Sequence, residues 1–208
     1  MLYDADIREP LFLYLEGIFG KVRFLEEKVM GRSRADAVMV MENALCGIEI
    51  KSDADTYQRL DSQVQDYDHF FDYNLLVIGQ RHEAHAQEHV PASWGILSVH
   101  EDGDGMTFRM LRIPEKSPGD TLARKLSMLW RPELNRLLAV NRMPHYTEKS
   151  KKFVASQLRS RVRPELLHRQ ISDVLFERDY TTIHREIEAF RAKQSPRRSR
   201  TARRKSQR

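Results

Sequence analysis

The segment Gly47-Ile48-Glu49-Ile50-Lys51 constrains this chain more than any other. Apolar and charged residues alternate in it with the period of a β-strand, where side chains two apart share a face. Ile48 and Ile50 therefore point into a core, while Glu49 and Lys51 project together from the opposite face. A carboxylate and an ammonium set among apolar residues depart from the usual pattern, in which charges lie on a solvated surface. A second charged element, Arg34-Ala35-Asp36, opens the preceding apolar run.

These residue types in this order suit one kind of chemistry. Cleaving a phosphodiester near neutral pH needs a hydroxide-like nucleophile and neutralisation of the charge that builds on the phosphate. A hard divalent cation does both, and Mg²⁺ is held by one or two carboxylates plus waters and substrate oxygens. Asp36 and Glu49 are the natural ligands for Mg²⁺ or Mn²⁺, and the carbonyl of Ile50 is a third oxygen. Lys51 would orient the attacking water or stabilise charge in the transition state. The bland alternative is an ion pair on an exposed strand edge. Downstream, Gln63 and Tyr67 lie four apart in a run that predicts a helix over 56–71, on one face with Arg59 a turn earlier. Asp53 and Asp55 just before it suit an N-cap and a first turn.

Asp36, Glu49-x-Lys51 and Gln63-x-x-x-Tyr67 together resemble the signature of the PD-(D/E)xK nuclease superfamily, in particular its RecB-like and resolvase-like branches. The resemblance covers about residues 5–112 and takes in the Pro91-to-Ile96 turn; it departs where Ala35, not proline, precedes the acid. It implies a restriction-endonuclease-like core in which the acid, the ExK strand and the next helix build one metal site. It also implies a glutamate on the first helix, for which Glu9 is the candidate and Glu26 and Glu27 are competitors. Arg34, Arg59 and Tyr67 are the candidate substrate contacts, with packing beside the site or a backbone hydrogen bond as the other reading of Tyr67, and Gln63 would orient the site or contact a phosphate.

Charge is unevenly placed along the 208 residues. The net +5 includes a tail, 195–208, with seven Arg or Lys and no acid, which leaves −2 on the rest. Such a run lacks apolar residues to bury and is expected to be disordered, with a salt-dependent grip on phosphate backbones as its possible use. No apolar run reaches the length of a membrane span. The N-terminus lacks a signal-peptide pattern. The single cysteine, Cys46, reads as a packed thiol in a reducing cytoplasm.

The order of elements predicts an α/β fold with a mixed central sheet flanked by helices over 1–113. A helical extension over 114–194 follows a Pro/Ser/Gly-rich boundary, and the basic tail ends the chain. Strands are expected at 22–29, 37–41, 45–51, 74–79, 94–100 and 106–113, with turns at 31–34 and 101–105 and a helical stretch at 83–88. The extension reads as helices over 121–130, 132–139, 148–161, 164–178 and 181–193. His82, His85 and His89 lack the compact ligand set of a zinc site and read as a solvated helix face. Asp102-Gly103-Asp104-Gly105 lacks the glutamate that completes a calcium loop and reads as a hairpin turn. The expected partner is DNA, with RNA as the alternative substrate of a defence or toxin nuclease. A homodimer or a protein partner through the helical lobe is also open. A distinct alternative is a non-catalytic binding module that keeps the nuclease fold.

Overall fold

The computed structural model describes residues 2–103 and 105–178. The expected helix over 181–193, the basic tail and Asp104 of the expected turn lie outside the described residues. The chain forms α1 (Asp4–Phe19), β1 (Arg23–Met30), β2 (Ser33–Val40), β3 (Leu45–Lys51), α2 (Leu60–Phe70) and β4 (Tyr73–Gly79). It continues with β5 (Gly95–Asp102), β6 (Gly105–Arg112), α3 (Leu122–Met128), α4 (Arg131–Val140), α5 (Lys151–Arg161) and α6 (Pro164–Phe176).

The fold is α/β. Its six strands follow chain order across one sheet. β3, β4 and β5 run parallel at the centre, and antiparallel pairing adds β1–β2 on one side and β6 on the other. The sheet is covered on both faces, which is why β4 reads as a nearly continuous apolar run and why even Glu49 and Lys51 of β3 are buried. On one face, Ile7, Leu11 and Leu15 of α1 pack with Ile48, Ile50, Val77 and Leu97. On the other face Tyr67, Leu76, Ile78 and Ile96 share one cluster with Leu126, Leu137, Leu158 and Ile171 of a helical lobe, α3–α6. No helix among the described residues is long and apolar enough to cross a membrane.

Several boundaries differ from those the sequence suggests. The β1–β2 turn is only Gly31-Arg32, because Met30 already pairs with Ser33. Gly31 takes a φ of 58°, which favours glycine. α2 starts at Leu60, not Thr56. The acids expected to cap it are turned elsewhere: Asp55 accepts from the Ser52 amide at 2.9 Å and its hydroxyl at 2.5 Å, and Asp53 accepts from the Arg81 amide at 3.2 Å. The stretch expected as a helix over 83–88 holds only a short 3₁₀ turn, Ala86–Glu88, after another at Gln80–His82. Of the histidines expected on a solvated face, His85 is exposed, but His89 stacks on Tyr57 at 3.9 Å and His82 meets the same ring edge-on. The helix expected over 121–130 ends at Met128, and Pro132 sits in the first turn of a new helix.

The lobe is pinned to the sheet by a buried ion pair. Lys125 is 0% exposed, and its Nζ lies 2.5 Å from Asp72 Oδ2. Asp72 also accepts from the Thr121 hydroxyl at 2.7 Å and the Leu45 amide at 2.8 Å, and Lys125 contacts His168 Nδ1 at 2.8 Å. Burial works against the Asp72 charge, but these donors outweigh it and hold the carboxyl below its ordinary range. Removing one partner of such a pair leaves an uncompensated buried charge. Lys125→Met should therefore cost roughly 3–5 kcal/mol in urea unfolding, and adding Asp72→Asn should recover part of that loss. Wild-type stability in the single variant would show that the pair does not anchor the lobe.

Candidate active site

β3 sets the site because both its faces are covered. Gly47, on the same face as Glu49, lets α2 approach closely. A Cβ there would lie 2.3 Å from Phe71 Cδ2 and 2.6 Å from Tyr67 Cδ1. With the rings against the strand, the Tyr67 hydroxyl reaches Glu49 Oε2 at 2.6 Å and the Ile48 carbonyl at 3.0 Å. Gln63, one turn earlier on α2, donates from Nε2 to Glu49 Oε1 at 2.7 Å. Lys51 Nζ donates to the same oxygen at 2.6 Å and lies 3.4 Å from Gln63 Oε1. Glu49 is only 1% exposed, so a carboxylate among apolar strands is kept in place by three donors. Burial, and then the charges of Glu49 and Asp36, push the Tyr67 hydroxyl well above its ordinary pKa, so it stays a donor.

Asp36 arrives by a different device. The β1–β2 ladder pairs Glu26 with Ala37 and Lys28 with Ala35, and leaves Glu27 and Asp36 out. Glu27 has a φ of 51°, a conformation uncommon outside glycine. Inward alternation slips by one residue here, so that Leu25 and Val38 before the slip, and Met30 and Ala35 beyond it, all join the same core cluster. Asp36 is thereby released from the alternation. Its Oδ2 accepts from the Ile50 amide at 2.7 Å, beyond the last β2–β3 pair, Ala37 with Ile48. Burial first, and then the charge of Glu49, push the Asp36 carboxyl up to about 7, against the opposing pull of the Ile50 amide and Lys51.

The first helix contributes a cation where the resemblance implied an acid. Glu9 is exposed on α1 and joins none of these contacts; Arg8 does instead. Ile7 and Leu11 are buried, and Arg8 borders that stripe while Glu9 turns away from it. The Arg8 guanidinium donates to the Asp36 carbonyl at 3.1 Å and lies 3.8 Å from Asp36 Oδ1. It also pairs with Asp4 and Glu27, each at 2.6 Å, and with Glu26 at 3.1 Å. The acids named as competitors of Glu9 are thus gathered around Arg8. An i,i+4 Asp4–Arg8 spacing beside an apolar stripe was the available sequence signal.

The remaining candidates divide by exposure. Tyr67 is 0% exposed and cannot touch a substrate as placed, which corrects its assignment as a substrate contact. Arg59 is exposed at the N-terminal end of α2, outside the helix expected to contain it. Arg34 lies on β2 rather than in a turn, exposed, with Nε 2.7 Å from Glu27. The Ile50 side chain packs on the α1 face, while its backbone lines the site through the amide. Cys46 is buried and its thiol is pushed up to about 12, first by burial and then by Asp72, so it is not a nucleophile at neutral pH.

Among the described residues, no group of three or more His, Cys, Asp or Glu side chains could hold a metal. A cation at this site would rest on the carboxylates of Asp36 and Glu49, a backbone carbonyl and water. That all-oxygen set fits Mg²⁺ or Mn²⁺ and does not fit a structural zinc. Burial, and then the charge of Glu49, oppose ionisation of Asp36, an electrostatic condition that a divalent cation relieves.

A family model described as Bacteriophage P4 protein cII matches residues 14–199. The chain belongs to that family. The description names a phage protein and no activity. Among curated relatives, Protein cII of Enterobacteria phage P4 is 22% identical over 115 residues, which cover 54% of this chain and 44% of the relative. The match thus spans less than half the length of that relative. Among solved structures, SfsA of Pyrococcus furiosus in complex with Ca²⁺ is 12% identical, with a TM-score of 0.32 over 50% of this chain and 59% of that one. That likeness is too slight to argue from.

The environment of Asp36 predicts a stability effect with a definite sign. Its folded pKa, about 7, is raised from an ordinary value of 3.8. The proton-linked stability is full below 3.8 and is lost as pH rises through about 7. Asp36→Asn keeps an acceptor for the Ile50 amide and cannot ionise. In EDTA, its stability relative to wild type should rise by roughly 2–3 kcal/mol between pH 5 and pH 8. Denaturant melts at the two pH values measure this, and an unchanged difference would place the Asp36 carboxyl in an ordinary environment.

Proposed function

We propose that this protein is a Mg²⁺- or Mn²⁺-dependent nuclease that hydrolyses phosphodiester bonds in DNA, built on the PD-(D/E)xK pattern that its motifs resemble. One observation carries the reading. Glu49 is buried and fixed by Lys51, Gln63 and Tyr67 immediately beside Asp36. Three donors offset the burial of Glu49, whereas the charge of Asp36 is opposed by burial and by Glu49, and a bound cation would relieve that cost.

In this mechanism Asp36, Glu49 and the Ile50 carbonyl hold the cation. A bound divalent cation supplies Lewis acidity and lowers the pKa of water. The chain's own residues do the rest. Lys51 Nζ donates hydrogen bonds to Glu49 and Gln63 and has a third N–H for the attacking water or a phosphate oxygen. Gln63 is a positioning residue, because its amide is consumed by Glu49 and Lys51. Tyr67 is a second one, holding the other oxygen of Glu49. Arg8 steadies the Asp36 backbone, and exposed Arg59 is placed to meet the phosphate backbone. A reducing cytoplasm would suit the buried free thiol.

The test is cleavage of supercoiled, linear and single-stranded DNA, and of RNA, with Mg²⁺ or Mn²⁺. Wild type should cut DNA, and Lys51→Ala should lose at least about 100-fold of the rate, in the range of losing a transition-state donor. Preferential cutting of RNA would move the assignment to an RNA-directed nuclease. No cutting of any substrate would favour a binding module.

A further inference from the structure

The helical lobe carries a groove that the proposed chemistry does not use. It lies between α3 and α5, has a volume of about 960 Å³, and is lined by small side chains, among them Ala123, Ala155 and Ser156. Two contacts bridge it. Lys151 Nζ donates to the Ser127 carbonyl at 2.6 Å, and Arg159 Nη2 donates to Asp120 Oδ2 at 2.5 Å. Arg124 and Lys152 line it as well, both exposed, and no carboxylate is among the lining residues. α5 itself carries Lys151, Lys152, Arg159 and Arg161 and no acid. Residues 1–194 together bear −2, the net +5 less the seven tail cations, so this concentration of positive charge is local and not a reflection of composition.

We infer that this groove binds the sugar–phosphate backbone of a nucleic acid without reading its sequence. The choice of nucleic acid as ligand rests on the nuclease reading; the basic groove itself does not. Small side chains leave room for a ridge to enter between the helices. Exposed Lys and Arg on the walls neutralise phosphates, while the groove's serine hydroxyls donate to carbonyls of their own helices. A membrane surface is a poorer match, because the apolar lining is recessed between two helices and flanked by exposed cations, not displayed as a protruding face that could sink between lipids. Arg159 is already paired with Asp120, so Arg124 on α3 and Lys152 on α5 are the wall cations that would meet separate phosphates. Arg124 also ties the groove to the candidate site. Its guanidinium lies 5.7 Å from the centre of the Phe70 ring on α2, the helix that carries Gln63 and Tyr67. Arg124 thus links a wall of the groove to the helix that positions Glu49.

The experiment is fluorescence anisotropy of a labelled DNA duplex with the full chain in EDTA, where no cleavage occurs, over a series of salt concentrations. The double variant Arg124→Gln/Lys152→Gln changes exposed residues outside the candidate active site. It should bind the duplex at least tenfold more weakly at low salt. The slope of log K against log salt should be shallower by about 2, close to one for each phosphate left without its cation. Equal affinity and slope in the double variant would overturn the inference. So would wild-type binding to anionic vesicles, but not to DNA, that depends on the same residues. A protein that cuts nothing with any metal, yet needs Arg124 and Lys152 to hold DNA, would sink the nuclease reading and leave this one standing.

Discussion

The buried Glu49 carboxylate is the constraint around which the centre of the molecule is arranged. A charge at 1% exposure on a central strand is tolerable only if its oxygens are occupied, and Lys51, Gln63 and Tyr67 occupy them. Two of those three come from α2, so satisfying Glu49 also fixes how α2 lies on the sheet. Gly47 makes that approach possible by leaving the strand surface bare beneath Tyr67 and Phe71. The arrangement couples stability to the site: the aromatic packing that closes the core also delivers the donor that holds the carboxylate.

Asp36 shows the opposite strategy. Regular pairing would keep its side chain within the alternation of β2; instead, the strand pair breaks its alternation at Glu27 and Asp36, and the carboxylate reaches β3 past the end of the ladder. Local irregularity in a sheet is often found where a side chain must be re-aimed. Arg8 offsets the negative charge gathered there by Asp4, Glu26, Glu27 and Asp36. The lobe closes the face behind α2, anchored through Lys125 and Asp72, and adds a basic groove to a chain whose body is slightly acidic.

Much of this was legible in the sequence where spacing alone decides the geometry. Period-two alternation put Glu49 and Lys51 on one face, and the four-residue spacing of Gln63 and Tyr67 put both on one side of a helix. The order of elements was enough for a mixed α/β sheet and a helical lobe. What spacing could not reveal was which long-range partner each polar group would find. Asp53 and Asp55 look like helix caps, yet they are taken by Arg81 and Ser52. Nothing in the spacing around Lys125 points to Asp72, distant in the sequence, as its buried partner. Glu9 and Arg8 are neighbours in sequence, and only the direction of the α1 apolar stripe decides which one meets Asp36. Tyr67 is buried because Gly47 admits its ring, a relation between two elements that neither announces by itself.

Whether Asp36 and Glu49 form a site for a divalent cation can be tested without a substrate, by electron paramagnetic resonance of Mn²⁺ titrated into the protein at pH 8. Wild type should show one saturable site, weakened at least about 100-fold in Asp36→Asn, as expected when a charged ligand is removed. No bound Mn²⁺ in wild type, or equal binding by the variant, would contradict the assignment.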